Sequence, residues 1–113
     1  MIEPEEHLSP DGTLALQVKL LDGGDVAIGF RGHAWHTHAD ILASVSGCPE
    51  SDAVRRFVED VLADRAIIAV QSFDDVVHDV WITDDPSSHR KYQQANETLN
   101  FRYWSGRKYT EAD

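Results

Sequence analysis

With 113 residues, 42% of them hydrophobic, the chain is one domain by size, able to close an ordinary core without metals or disulfides. That composition excludes a disordered polymer, and no run approaches the ~20 apolar residues that a membrane-spanning helix needs. The net charge of −10 sits on the body, since residues 1–85 hold five Lys/Arg against seventeen Asp/Glu, while residues 86–110 hold five against Glu97 alone. A negative body repels phosphate backbones and attracts basic proteins, so nucleic acid is excluded as a general partner and a basic protein is expected instead.

Residues 1–12 are polar and read as a loose tail ending in the turn Ser9-Pro10-Asp11-Gly12. The opening Met1-Ile2-Glu3-Pro4-Glu5-Glu6 has no apolar stretch, so no secretory leader is expected. Leu14, Leu16, Val18 and Leu20 recur with period two and predict a half-buried strand. Asp22-Gly23-Gly24-Asp25 tolerates positive φ and returns the chain into a second strand carrying Val26, Ile28 and Phe30. The loop Arg31-Gly32-His33-Ala34-Trp35-His36-Thr37-His38 follows. Thr37 with Asp40 then resembles a capping box that starts a helix, which ends near Gly47.

Val54, Phe57, Val58, Val61 and Leu62 lie on one stripe and predict the clearest helix, over 51–64, with Ser51 as N-cap. Ala66–Val70 reads as a buried strand and Ser72–Asp75 as a turn. Val76–Thr83 is the returning strand, with Val76, His78, Val80 and Ile82 on one face; His78 is expected to be buried or half-buried there. Residues 84–89 read as loop, with one possible helical turn before Asn96. Leu99, Phe101 and Tyr103 alternate as the last strand, before a loose tail over 106–113. The order β-β-α-α-β-β-β predicts a single α+β domain: an antiparallel sheet of four to five strands with two central helices packed on one face.

Chemistry is sparse. His36, His38 and Asp40 resemble the HxHxD element of metallo-β-lactamase-type hydrolases, and imidazole with carboxylate suits zinc or iron. The likeness stops at those three residues, and no metal or other cofactor is expected. A small metal- or ligand-binding enzyme centred on His36, His38 and Asp40 is the alternative to a binding protein. His78 and Asp79 point to opposite faces of their strand and form no dyad. Cys48 is the only cysteine, has no evident base, and permits no internal disulfide, so a cytoplasmic setting is expected. There is no phosphate-binding glycine loop and no G-x-S-x-G elbow.

What remains is recognition. Trp, Tyr and Arg dominate binding hot spots, which selects Arg31, His33, Trp35, His36, His38, Trp81, Arg102 and Trp104 as candidate binding residues. Trp81 and Trp104 could share a face if their strands neighbour each other. Arg31, His33, Trp35 and His36 are expected to converge on one exposed surface.

The spans Gly29–His38, Ala53–Val58 and Phe101–Gly106 resemble stretches of small acidic bacterial α+β proteins. In size and charge the chain is also similar to immunity proteins that neutralise bacterial toxins. The resemblance implies an acidic binding protein, an inhibitor of the immunity type, for a basic partner, and it assigns no functional residue.

Overall fold

The computed structural model describes residues 2–91 and 93–110. Its elements run β1 (Glu5–Leu8), β2 (Ala15–Leu20), β3 (Val26–Phe30), β4 (His36–His38), α1 (Ala39–Ser46), α2 (Glu50–Leu62), β5 (Ile67–Phe73), β6 (Val76–Thr83), α3 (Pro86–Arg90) and β7 (Glu97–Arg102). The fold is α+β and antiparallel, but its strands form two sheets rather than one, ordered β1-β2-β3-β4 and β6-β5-β7. The helical segment between β4 and β5 separates them. Period-two patterning identifies strands without saying which strands pair.

Leu16, Val18, Val26, Ile28 and Phe30 of the first sheet meet Ile68 and Val80 of the second, with Val54, Val58 and Val61 of α2 completing the core. Phe57 and Leu62, expected in the same buried stripe, are only partly buried at its margin. The second sheet also covers its other face, where Ala69, Leu99 and Phe101 pack with Ile67, Trp81 and Tyr109.

Several elements differ from the sequence reading. Residues 5–8, assigned to a loose tail, are an edge strand paired with β2, Glu6 opposite Gln17. Thr37 does not cap α1: residues 36–38 pair with β3, and the N-cap is His38 without a side-chain hydrogen bond. The N-cap of α2 is Pro49, not Ser51. Residues 86–89, read as loop, form with Arg90 a short helix begun by Pro86, which lacks the N–H a first helical turn leaves unbonded, and this lies ahead of the helical turn expected before Asn96. The 106–110 part of the assigned tail is tied back, the Tyr109 N–H donating to Phe101 O at 3.0 Å; residues 111–113 lie outside the described residues.

The β5–β6 turn is tighter than expected, with Asp74 and Asp75 at φ 49° and 66°. Such conformations suit a two-residue hairpin and are best tolerated by Gly, Asn and Asp. The register slips beside it: Gln71 faces Asp79, but Ser72 faces Val77, leaving His78 without a partner. This bulge breaks the alternation, so His78 is exposed rather than buried and meets Phe73 edge-on, ring centroids 5.3 Å apart.

Candidate functional site

The β3–β4 connection is aimed by short-range constraints. Gly32 takes φ 84°, and the His33 N–H donates to Phe30 O at 3.2 Å, folding the chain back after β3. The Trp35 N–H donates to Asp79 Oδ1 at 3.3 Å, which ties the loop to β6 of the other sheet. The Trp35 ring is half-buried against the core, its centroid 6.4 Å from that of Phe30. Gly29 makes this approach possible. A Cβ at that position would lie 2.6 Å from the Trp35 carbonyl oxygen and 3.1 Å from His36 Cβ.

Trp35 thereby lines a groove of about 890 Å³ that extends from α2 to the β6 edge of the second sheet. Phe57 and Asp60 of α2 form one wall, with Arg65 beyond the helix end. Ile82 of β6 lines the groove from the core-facing side of the second sheet and Trp81 from that sheet's other face, together with Thr83, Asp84, Asp85 and His89. Trp81 is held edge-on to His89, centroids 5.4 Å apart, and its indole N–H lies 3.4 Å from His89 Nε2. The Thr83 hydroxyl lies 2.8 Å from the same nitrogen. As Nε2 accepts, the ring proton belongs on Nδ1. Asp60 is paired with Arg65 at 2.9 Å, whereas neither Asp84 nor Asp85 meets a cation among the described residues. Aromatic faces beside unpaired carboxylates can seat a guanidinium or ammonium group, through cation–π attraction and charge together.

The other candidates divide. His33 and His36 join Trp35 around a smaller pocket on the outer face of the first sheet. Arg31 does not line that pocket. It reaches Glu6 at 3.1 Å, and Glu6 also accepts from the Gln17 amide at 2.8 Å. His38 Nδ1 lies 3.0 Å from Asp25 Oδ2, an ion-pair distance whose angle is not that of a hydrogen bond, and no other group partners that nitrogen. His36 and His38 stack edge-on at 4.8 Å, while Asp40 accepts the Ile41 N–H at the start of α1. Among the described residues no three His, Cys, Asp or Glu side chains converge as metal ligands.

Arg102 and Trp104 are not surface contacts. Trp104 is buried at 5% exposure in the main core, and β5 separates β6 from β7, so Trp81 and Trp104 do not share a face through neighbouring strands. The Arg102 guanidinium donates to Asp11 at 2.7 Å, Thr13 Oγ1 at 3.0 Å and Trp104 O at 3.1 Å, while its Nε–H donates to Tyr103 O at 3.0 Å. It clasps the β1–β2 turn to the chain after β7. Arg102, with help from Ser9 and Thr13, holds the Asp11 carboxyl far below the usual carboxylate range. Burial pushes Asp64 up, but the Ser105 hydroxyl and N–H at 2.6 and 3.0 Å, with Arg107 and Arg102 nearby, bring it below its ordinary value.

Sequence reasoning missed Phe57, Asp84, Asp85 and His89 as groove residues. The available signal was the acidic pair directly after the Trp81 strand. Gly29 was also missed, although glycine inside a strand pattern marks a close backbone approach.

No helix among the described residues is long and apolar enough to cross a membrane. Compared with protein-family models, curated proteins and solved structures, the chain shows no significant match to any of them.

Proposed function

We propose that this protein is a binding protein that receives a cationic segment of a basic protein partner in the Trp35–Trp81 groove, acting as an inhibitor of the immunity type. One observation carries the reading: two tryptophans far apart in sequence wall the same groove, next to Asp84 and Asp85, which have no cation of their own among the described residues. Tryptophan is the best cation–π face, and a guanidinium stacked there adds about 0.5–2 kcal/mol depending on desolvation. The acidic body contributes chiefly to association rate, as complementary long-range charge does. Trp35 and Trp81 are each half-buried, so their rings are already oriented and little rotamer freedom is lost on binding. A cytoplasmic setting accords with the single Cys48, which needs no oxidising compartment.

Tryptophan fluorescence can test this, with an arginine-rich peptide titrated against lysine-rich, neutral and acidic peptides of equal length. The expected order is arginine, then lysine, then the neutral and acidic peptides, with affinity falling as salt is added. Trp81→Ala and the Asp84→Asn/Asp85→Asn pair should each weaken binding by more than about 1 kcal/mol, the level that marks a contributing interface residue. Equal response to all four peptides, or indifference to both variants, would sink the proposal.

A further inference from the structure

We propose that His89 is the positioning residue of the groove: it holds Trp81 and the Asp84–Asp85 turn for a cationic guest while its ring is neutral, and lets both go when the ring is protonated. This rests on the cationic reading of the groove. His89 Nε2 is the meeting point of a short hydrogen-bonded chain. The Asp85 N–H donates to Thr83 Oγ1 at 3.1 Å, Thr83 Oγ1 lies 2.8 Å from His89 Nε2, and the Trp81 indole N–H donates to the same nitrogen at 3.4 Å. The ring is held between two others, edge-on to Trp81 with centroids 5.4 Å apart and stacked on Phe101 at 6.4 Å. One imidazole nitrogen thereby joins the Trp81 ring to the backbone of the turn that carries the groove's carboxylates.

The chain permits one arrangement of protons. An indole N–H can only donate, so Nε2 must accept and the ring must be neutral. Thr83 Oγ1 accepts from Asp85, which leaves its own proton for Nε2. A second proton on the ring turns Nε2 into a donor. The Thr83 hydroxyl can then reverse and accept, but the indole cannot, so Trp81 loses its hold. The same proton adds a positive charge to the groove lining, beside the carboxylates meant for the guest. Both effects weaken binding of a cation, and imidazole is the side chain that ordinarily changes charge between about pH 5 and 8. The other charged groups around the ring are Asp84 and Asp85 of the turn and Arg90 of α3, whose guanidinium lies 4.9 Å above Phe101. β6 and β7 meet the ring with the uncharged Trp81, Thr83 and Phe101, Tyr109 lies beyond Phe101, and the Asp60–Arg65 pair lines the groove further along.

The test joins a pH titration of the free, ¹⁵N-labelled chain to binding of an arginine-rich peptide. In the free protein the Trp81 indole N–H resonance should move with pH in step with the His89 ring resonances, a readout that needs no variant. The peptide should bind about fivefold or more weakly at pH 5.5 than at pH 7.5, the order expected when one aromatic–cation contact is lost. His89→Gln supplies an amide oxygen as acceptor and does not titrate, so it should bind as the parent does at pH 7.5 and lose most of the pH dependence. His89→Phe keeps a flat ring beside Trp81 but has no acceptor, so it should bind weakly at both pH values. An indole resonance that ignores the His89 titration, a His89→Gln variant with the parent's pH dependence, or a His89→Phe variant that binds like the parent at pH 7.5 would each overturn the proposal while leaving the cationic groove intact. No peptide binding at either pH would instead overturn the cationic reading, and this one with it.

Discussion

Replacing Arg102 with methionine separates two roles that its residue type permits. As an interface residue its loss would spare the fold; as the clasp seen here, its loss should weaken it. Its side chain is only 16% exposed and makes four hydrogen bonds, two of them to carbonyls of the buried residues Tyr103 and Trp104. The Asp11 side chain is 37% exposed, so solvent screening limits the ion-pair part to about 1 kcal/mol or less. The Tyr103 carbonyl keeps the Gly106 N–H at 3.0 Å, so it is the Trp104 carbonyl that loses its donor, which adds about 1–3 kcal/mol at the unrelaxed limit, part of it returned by relaxation towards water. The expected cost is about 2 kcal/mol, or a melting temperature lowered by roughly 8 °C for a domain of this size. Urea unfolding at pH 7 measures it. The pH dependence gives an independent check. Asp11 has its folded-state pKa depressed chiefly by Arg102, so its contribution is fully present above the unfolded-state value and is lost as pH falls through the folded one. The penalty of Arg102→Met should therefore be smaller at pH 3 than at pH 7. A cycle with Asp11→Asn should show coupling at neutral pH. A variant as stable as the parent, or a penalty that grows in acid, would refute the clasp.

Gly29→Ala places a methyl 2.6 Å from a backbone oxygen, where no flexible side chain can yield, so the Trp35 segment must shift. Overpacking of this kind costs typically about 1–3 kcal/mol, and the amide resonances of residues 33–38 should move furthest; an unchanged spectrum would contradict the close approach. Trp104→Ala should cost about 3–5 kcal/mol as a core deletion, and Trp35→Ala clearly less because its ring is only half-buried; chemical denaturation reversing that order would contradict the packing. Glu97 lies below its ordinary value chiefly because the Gln71 amide donates to it at 2.6 Å, with the Gln94 N–H assisting. In Gln71→Leu its carboxyl should therefore titrate at higher pH by NMR, and no movement would remove Gln71 as the cause.

Burial pattern was readable wherever one face of an element meets the core. The stripe of α2 and the alternations in β2 and β3 were recovered for that reason, and the Gly23-Gly24 and Gly47 positions took the positive φ values their residue type allows. The missed elements lack that signature. In β1, Glu5, Glu6 and Leu8 are all exposed, and the strand exists through its backbone pairing with β2. β4 has three residues, too few to show a period. The bulge at His78 defeats pattern reading differently, since one inserted residue reverses every side chain beyond it.

The division into two sheets explains the mixed fate of the candidate binding residues. Interfaces and cores draw on the same aromatic residues, so tryptophan content alone could not separate Trp104, which plugs the core, from Trp35 and Trp81, which wall a groove. What distinguishes them is where the sheets part. Trp35 ends the first sheet's β3–β4 loop, Trp81 stands on an edge strand of the second, and a hydrogen bond from the Trp35 N–H to Asp79 joins their segments. Asp79 also accepts its own neighbour's amide, from Val80 at 2.8 Å, so one carboxylate is held on β6 and fixes the loop that faces it. Loss of that carboxylate should therefore release Trp35 without emptying any core position. Asp79→Ala is expected to weaken binding of an arginine-rich peptide as Trp35→Ala does, while costing only the ~1–3 kcal/mol of two broken hydrogen bonds. If the variant binds the peptide normally, the loop's position does not depend on Asp79, and the groove's shape must come from the packing of Trp35 on Phe30 alone.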